Sequence, residues 1–175
     1  MFLLAVAVLV IVAFALFIAK QPDQFEITRT VTIATPPSVP FARVNDFHKW
    51  LDWSPWEGLD PNMKRAYEGP REGVGTRYVW DGSGQVGSGI MTTTESREPG
   101  LIRIDLEFLR PFKATNVTEF TFTPQGNQTV VSWSMTGRET FFTKAFAMVF
   151  NRDKMVGCMF QKGLDKLKAV CESAA

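Results

Sequence analysis

The sequence predicts an α+β domain: a curved antiparallel sheet of about seven strands wrapped around a long C-terminal helix, preceded by an N-terminal transmembrane helix. Three patterns predict it. Residues 2–19 are apolar without interruption. Short runs of alternating apolar and polar residues fill the chain from Phe25 to Thr136, and helical spacing takes over from Asp153 to Glu172. Strands gathered together, not interleaved with helices, argue for an antiparallel sheet, and such a sheet needs a cover on one face.

The first segment, FLLAVAVLVIVAFALFIA, carries no charge, and Lys20 and Pro22 close it. Its length just crosses the ~30 Å hydrocarbon core of a bilayer. An uncleaved single-pass anchor is preferred to two other readings. A cleaved signal peptide could use Ala13-Phe14-Ala15, but the basic leading region is missing and the cut would fall inside the apolar run. A buried helix would need protein on every side, because no face is polar. The expected division is an anchor over 1–20, a polar linker over 21–24 and one domain over 25–173, with a membrane as partner through residues 2–19. Lys20 and Arg29 follow the segment together with Asp23 and Glu26. That leans weakly to a cytoplasmic domain and leaves the side of the membrane open.

Phe25, Ile27, Val31 and Ile33 share one face of the first strand, with Arg29 among them. That arginine is either partly solvated or turned inward to a carboxylate or ligand. Pro36-Pro37 stop the strand, and Val39–Phe47 suits a short helix capped by Ser38. Trp50, Trp53 and Trp56 follow at a spacing of three, on one side of a short helix or turn. Strands are then expected at Met63–Glu68, Gly75–Trp80, Gly87–Glu95, Leu101–Phe108, around Thr118–Thr123 and around Val130–Met135. Asp81-Gly82-Ser83-Gly84 and Gln125-Gly126-Asn127 mark turns. Helices are expected over Phe141–Phe150 and Asp153–Glu172, the latter with Met155, Val156, Met159, Phe160, Leu164, Leu167 and Val170 on its dry side.

A formal net charge of +1 offers no basic stripe, so a nucleic-acid partner is not expected. Cys158 and Cys171 fall on one predicted helix, roughly 20 Å apart, too far to bridge. With a single histidine, His48, and no paired ligand spacing, no metal and no cofactor is expected. Gly82-Ser83-Gly84-Gln85-Val86-Gly87 matches G-x-G-x-x-G, but a strand follows where a dinucleotide site needs a helix. Asn116-Val117-Thr118 and Asn127-Gln128-Thr129 are read as chance glycosylation matches. Asp46, Asp52 and Glu57 are read as solvated or capping. No nucleophile elbow accompanies His48, so no catalytic residue is assigned.

The element order and several local signatures resemble the START-like helix-grip (SRPBCC) superfamily, in particular its bacterial polyketide cyclase/dehydrase-like branch. Ile33-Ala34-Thr35-Pro36-Pro37, Trp50-Leu51-Asp52-Trp53-Ser54-Pro55-Trp56, Tyr67-Glu68-Gly69-Pro70, Gly73-Val74-Gly75-Thr76, Thr129-Val130-Val131-Ser132-Trp133 and Gly163-Leu164-Asp165-Lys166-Leu167-Lys168 carry it. It covers about Phe25 to Glu172. The resemblance implies a helix-grip ligand-binding domain over 25–173; members of that superfamily hold lipids, sterols, quinones or polyketides, and some are enzymes.

A bent sheet closed by a helix leaves an interior that aromatic and methionine side chains would line. The candidates for binding a ligand are Trp50, Trp53, Trp56, Tyr78, Trp80, Phe108, Phe120, Phe122, Trp133, Phe146, Met155 and Met159. The expected function is membrane-anchored binding of a hydrophobic small molecule, whether lipid, quinone or polyketide-like. Two alternatives stand beside it: a cyclase/dehydrase-like or hydrolytic enzyme using groups such as His48, Arg77, Tyr78 and Arg103, and a tethered interaction domain with a filled core.

Overall fold

The computed structural model describes residues 2–84, 86–141, 143–145 and 151–173. Its elements are α1 (Phe2–Ala19), β1 (Gln24–Ile33), α2 (Ser38–Asn45), a 3-10 helix (Phe47–Asp52), β2 (Lys64–Glu68), β3 (Arg77–Asp81), β4 (Ser88–Arg97), β5 (Leu101–Arg110), β6 (Ala114–Gln125), β7 (Gln128–Arg138) and α3 (Arg152–Glu172). All seven strands form one sheet in the order β1-β7-β6-β5-β4-β3-β2. Every pairing is antiparallel.

The alternating pattern sets which residues face inward. In β6, Asn116, Thr118, Phe120 and Phe122 are buried while the residues between them are not. In β7 the buried set is Thr129, Val131, Trp133 and Met135. α3 lies on this face: Phe160 stacks on Trp133 with ring centroids 4.1 Å apart and planes 6° from parallel. Gly163 permits the approach, since a Cβ there would meet the Trp133 ring at 2.9 Å and Pro55 at 2.9 Å. Arg29 takes the inward option. Its Nη2 donates to Asp153 Oδ2 at 2.9 Å beside Gly157, with 29% of the side chain still exposed.

The helix expected over Val39–Phe47 is two helices. Asp46 is extended (φ −110°, ψ 109°) and its carboxylate accepts from the His48 backbone N–H, which ends α2 and starts the 3-10 turn. The third strand starts at Arg77 and not at Gly75, because Gly75 is left-handed (φ +88°). The helix expected over Phe141–Phe150 reaches beyond the described residues, although Phe141 and 143–145 are helical.

α1 is an 18-residue helix without a charged side chain. Among the described residues, however, no helix is long and apolar enough to cross a membrane. The transmembrane part of the expected architecture is therefore not supported there; the side chains at 2–5, 7, 8, 10 and 11 lie outside the described set. Among the described residues the contiguous core runs from Ile27 to Cys171, and Ile18 near the end of α1 is buried as well. The two cysteines are both free, Cys158 exposed and Cys171 buried.

Candidate functional site

The inner face divides into two halves. Toward the C-terminal end of β1 it is packed solid. Trp133 is sandwiched between Phe160 and Phe120 (4.8 Å), with Trp50, Trp53 and Trp56 edge-on at 6.3, 5.7 and 5.7 Å. Trp53 and Phe120 are fully buried, and Phe122 packs edge-on against Phe41. These rings fill space against one another, each indole N–H of Trp50, Trp53 and Trp133 bonded to Val44 O, Arg43 O and Thr118 Oγ1.

The other half lies toward the start of β1. Register places Tyr67, Tyr78, Met91, Leu106, Asn116, Gly137 and Phe25 in one row across all seven strands. Trp80 and Phe108 belong to the next row out, their rings edge-on at 5.9 Å. Phe25, Leu106 and Phe108 are only half-buried, whereas Trp50, Trp53, Phe120, Trp133 and Phe160 of the packed half are buried. On α3, Met159 is half-buried and Met155 is 59% exposed. Phe146 lies outside the described residues. This half offers apolar surface that its neighbours cover less completely, the setting in which a few polar groups orient a ligand.

Those polar groups cluster at the β2–β3 edge. Glu57, carried in by the loop after the tryptophans, accepts from Tyr78 Oη at 2.6 Å and from Arg65 Nε at 2.7 Å. Burial pushes the Tyr78 phenol far up, and the Glu57 carboxylate adds to the shift. Tyr67 is raised for the same two reasons. Both phenols thus stay protonated near neutral pH, as hydrogen-bond donors. The Tyr67 hydroxyl is buried and has no partner. Its ring stacks on His48 at 4.0 Å, and His48 Nδ1 lies 2.9 Å from Asp46 Oδ1. If Nδ1 carries the proton, Nε2 is left as an acceptor.

Asp46, only 1% exposed, caps rather than solvates, and Glu57 is inward. Arg77 and Arg103 do not join the site: they pair on the outer face with Glu68, and with Glu95 and Glu119. No sequence motif marks Arg65, Tyr67 or Asn116 for binding. Alternation places Tyr67 inward and Asn116 on the face of Thr118 and Phe120, which was the available signal. Nothing local in the sequence ties Glu57 to Tyr78. The G-x-G-x-x-G loop joins β3 to β4, and Gly82, Ser83, Gly84, Gly87, Arg110 and Pro111 line an open cleft of about 240 Å³ outside the inner face. No group of three or more metal-ligating side chains occurs among the described residues.

Residues 24–172 match the family model described as polyketide cyclase / dehydrase and lipid transport. The chain belongs to that family. No curated protein matches it in sequence. Solved structures share the fold. A Chromobacterium violaceum protein is 15% identical, with 87% of this chain and 99% of that one covered and a TM-score of 0.60. Major latex-like protein 151 of Panax ginseng is 12% identical over 85% and 97% of the two chains, TM-score 0.60. The di-domain ARO/CYC StfQ from the steffimycin biosynthetic pathway is 11% identical, TM-score 0.62, with 86% of this chain set against 51% of that one.

Proposed function

We propose that this family member binds a hydrophobic small molecule on the half-buried part of its inner sheet face, while α1 holds it at a membrane. The observation that carries the binding reading is the contrast within one face. Half is closed by stacked rings, and half presents the partly buried Phe25, Leu106 and Phe108 beside a few oriented donors. Burying ~300 Å² of apolar ligand surface at ~25 cal/mol/Å² supplies about 7 kcal/mol, equivalent to about 10 μM at best, which ordering costs can only weaken.

Native mass spectrometry of residues 21–175 is expected to show a co-purified lipophile that organic extraction removes. A clean apo mass that no added lipophile changes would overturn the reading in favour of a filled interaction domain. A recovered molecule whose mass changes on incubation with the protein would give the catalytic alternative.

Anchoring draws on the charge-free run of α1 and on its exposed Val6, Leu9, Val12, Phe14, Leu16 and Phe17. At ~1.5 Å per residue, the helix comes within a few ångströms of the hydrocarbon thickness. Its root is tied to the domain by Lys144 Nζ, which donates to Gln21 O and Asp23 Oδ1, both at 2.6 Å. The full chain is expected to float with phosphatidylcholine vesicles in a density gradient and the 21–175 fragment to stay at the bottom. Equal distribution of the two would remove the anchor.

A further inference from the structure

Asn116 is out of place among its neighbours. It sits mid-row on the inner face between Leu106 of β5 and Gly137 of β7, with Phe25 one strand further on. The residue is 8% exposed. Its one hydrogen bond is from Nδ2 to the Met135 thioether at 3.8 Å. A thioether is a weak acceptor, and a buried amide without a good partner costs free energy that native structures rarely concede. The position is nonetheless built. Gly137 leaves the space that the amide oxygen and the Phe25 ring occupy, and a Cβ there would collide with both. A buried amide accommodated in this way, with only a thioether as partner, is poised for a stronger acceptor from outside.

We infer that the Asn116 amide is the polar anchor of the binding site, and that the ligand is a neutral lipophile bearing a carbonyl oxygen, which accepts from Nδ2 in place of the Met135 sulfur. This rests on the binding reading above and names its ligand class. Neutrality follows from the surroundings. Leu106, Phe25, Met91 and Met135 are apolar, and the cation on this face nearest along β1, Arg29, is already paired with Asp153. Lys144, buried near the start of β1, is likewise paired, with Asp23, so among the described residues of this row a ligand carboxylate would find no unpaired counter-charge. Tyr67, whose buried hydroxyl has no partner, lies four strands away, roughly 19 Å along the sheet, so a molecule of two fused rings addresses one donor or the other.

The test compares 2-acetylnaphthalene with 2-ethylnaphthalene, near-isosteres that differ in the carbonyl. Both are titrated into the full-length chain wrapped in amphipol, with amphipol alone as the partition reference. The wild-type protein is expected to bind the ketone about tenfold more tightly than the hydrocarbon, the value of one buried hydrogen bond. The ketone alone should shift the Asn116 side-chain amide resonances. Asn116→Leu, close in shape, should erase the preference while still binding the hydrocarbon. Equal affinities in the wild type, or an amide that does not respond, would overturn the Asn116 assignment and leave hydrophobe binding standing. Failure of both probes to bind would overturn the binding reading itself. Because the wild-type comparison and the resonance shift need no variant, instability of Asn116→Leu does not blunt the test.

Discussion

Trp133→Ala is expected to lower the unfolding free energy by about 4–5 kcal/mol, measured by urea denaturation followed by far-ultraviolet circular dichroism. The indole is held on both faces, by Phe160 and by Phe120, and on its edges by Trp50, Trp53 and Trp56. Removing it leaves a void bounded by rings on different elements: α3, β6, the 3-10 helix and the loop behind it. Such a wall cannot collapse inward as a flexible one would, so the transfer and cavity losses both apply. The Thr118 hydroxyl, which accepts the indole N–H, also loses that bond. Against a usual stability of ~5–15 kcal/mol, this removes between about a third and nearly all of it. Trp133→Phe keeps one stacked ring and should cost about 1–2 kcal/mol. Alanine at Phe112, which is 82% exposed, should stay within about 0.5 kcal/mol. A loss below about 1 kcal/mol for Trp133→Ala would mean that the ring borders an open cavity and that the solid half of the interior is misassigned.

That distinction was not available from the sequence, and the reason is physical. Alternation shows that Trp133, Phe120, Trp80 and Phe108 point inward, because a strand turns successive side chains to opposite faces. It does not show which inward residues meet another ring and which meet space. That depends on where α3 crosses the sheet, and the crossing is set by contacts such as Gly163 on Trp133. The strands, their order of hairpins and the covering helix were legible because each is a local periodicity. The polar half of the site was not, because its bonds are long-range. Glu57 meets Tyr78 across 21 residues, and Asn116 meets Met135 across 19. Asn116 opens a glycosylation-type triplet that the sequence marks as a chance match, and its burial in the sheet agrees with that reading.

Asp46→Ala is expected to destabilise the domain by about 2–3 kcal/mol and to change how stability depends on acid. This carboxylate, 1% exposed, does several things at once. It accepts from the His48 backbone N–H at 3.0 Å, which starts the 3-10 helix and positions Trp50. It also accepts from the Arg71 guanidinium at 3.3 Å and lies 2.9 Å from the His48 ring, which stacks on Tyr67. Burial alone would push its pKa up, but the His48 ring, the His48 N–H and Arg71 together outweigh burial and hold it below the ordinary 3.8. A carboxyl depressed in the folded state is protonated more readily in the unfolded chain. Its stabilisation is therefore complete above the unfolded value and is lost as pH falls from there through the folded pKa. Thermal melting of the wild type should drop as pH is lowered below about 4. Asp46→Asn keeps an acceptor for the cap but removes the titration, so its melting temperature should start lower at neutral pH and fall less steeply in acid. The acid slope should shrink and not vanish, because Asp60, held below its ordinary value chiefly by the Ser83 and Asn62 N–H groups, works in the same direction. Parallel acid slopes for wild type and Asp46→Asn would show that Asp46 is not coupled to folding through its charge. The His48–Tyr67 edge of the site would then owe its position to packing alone.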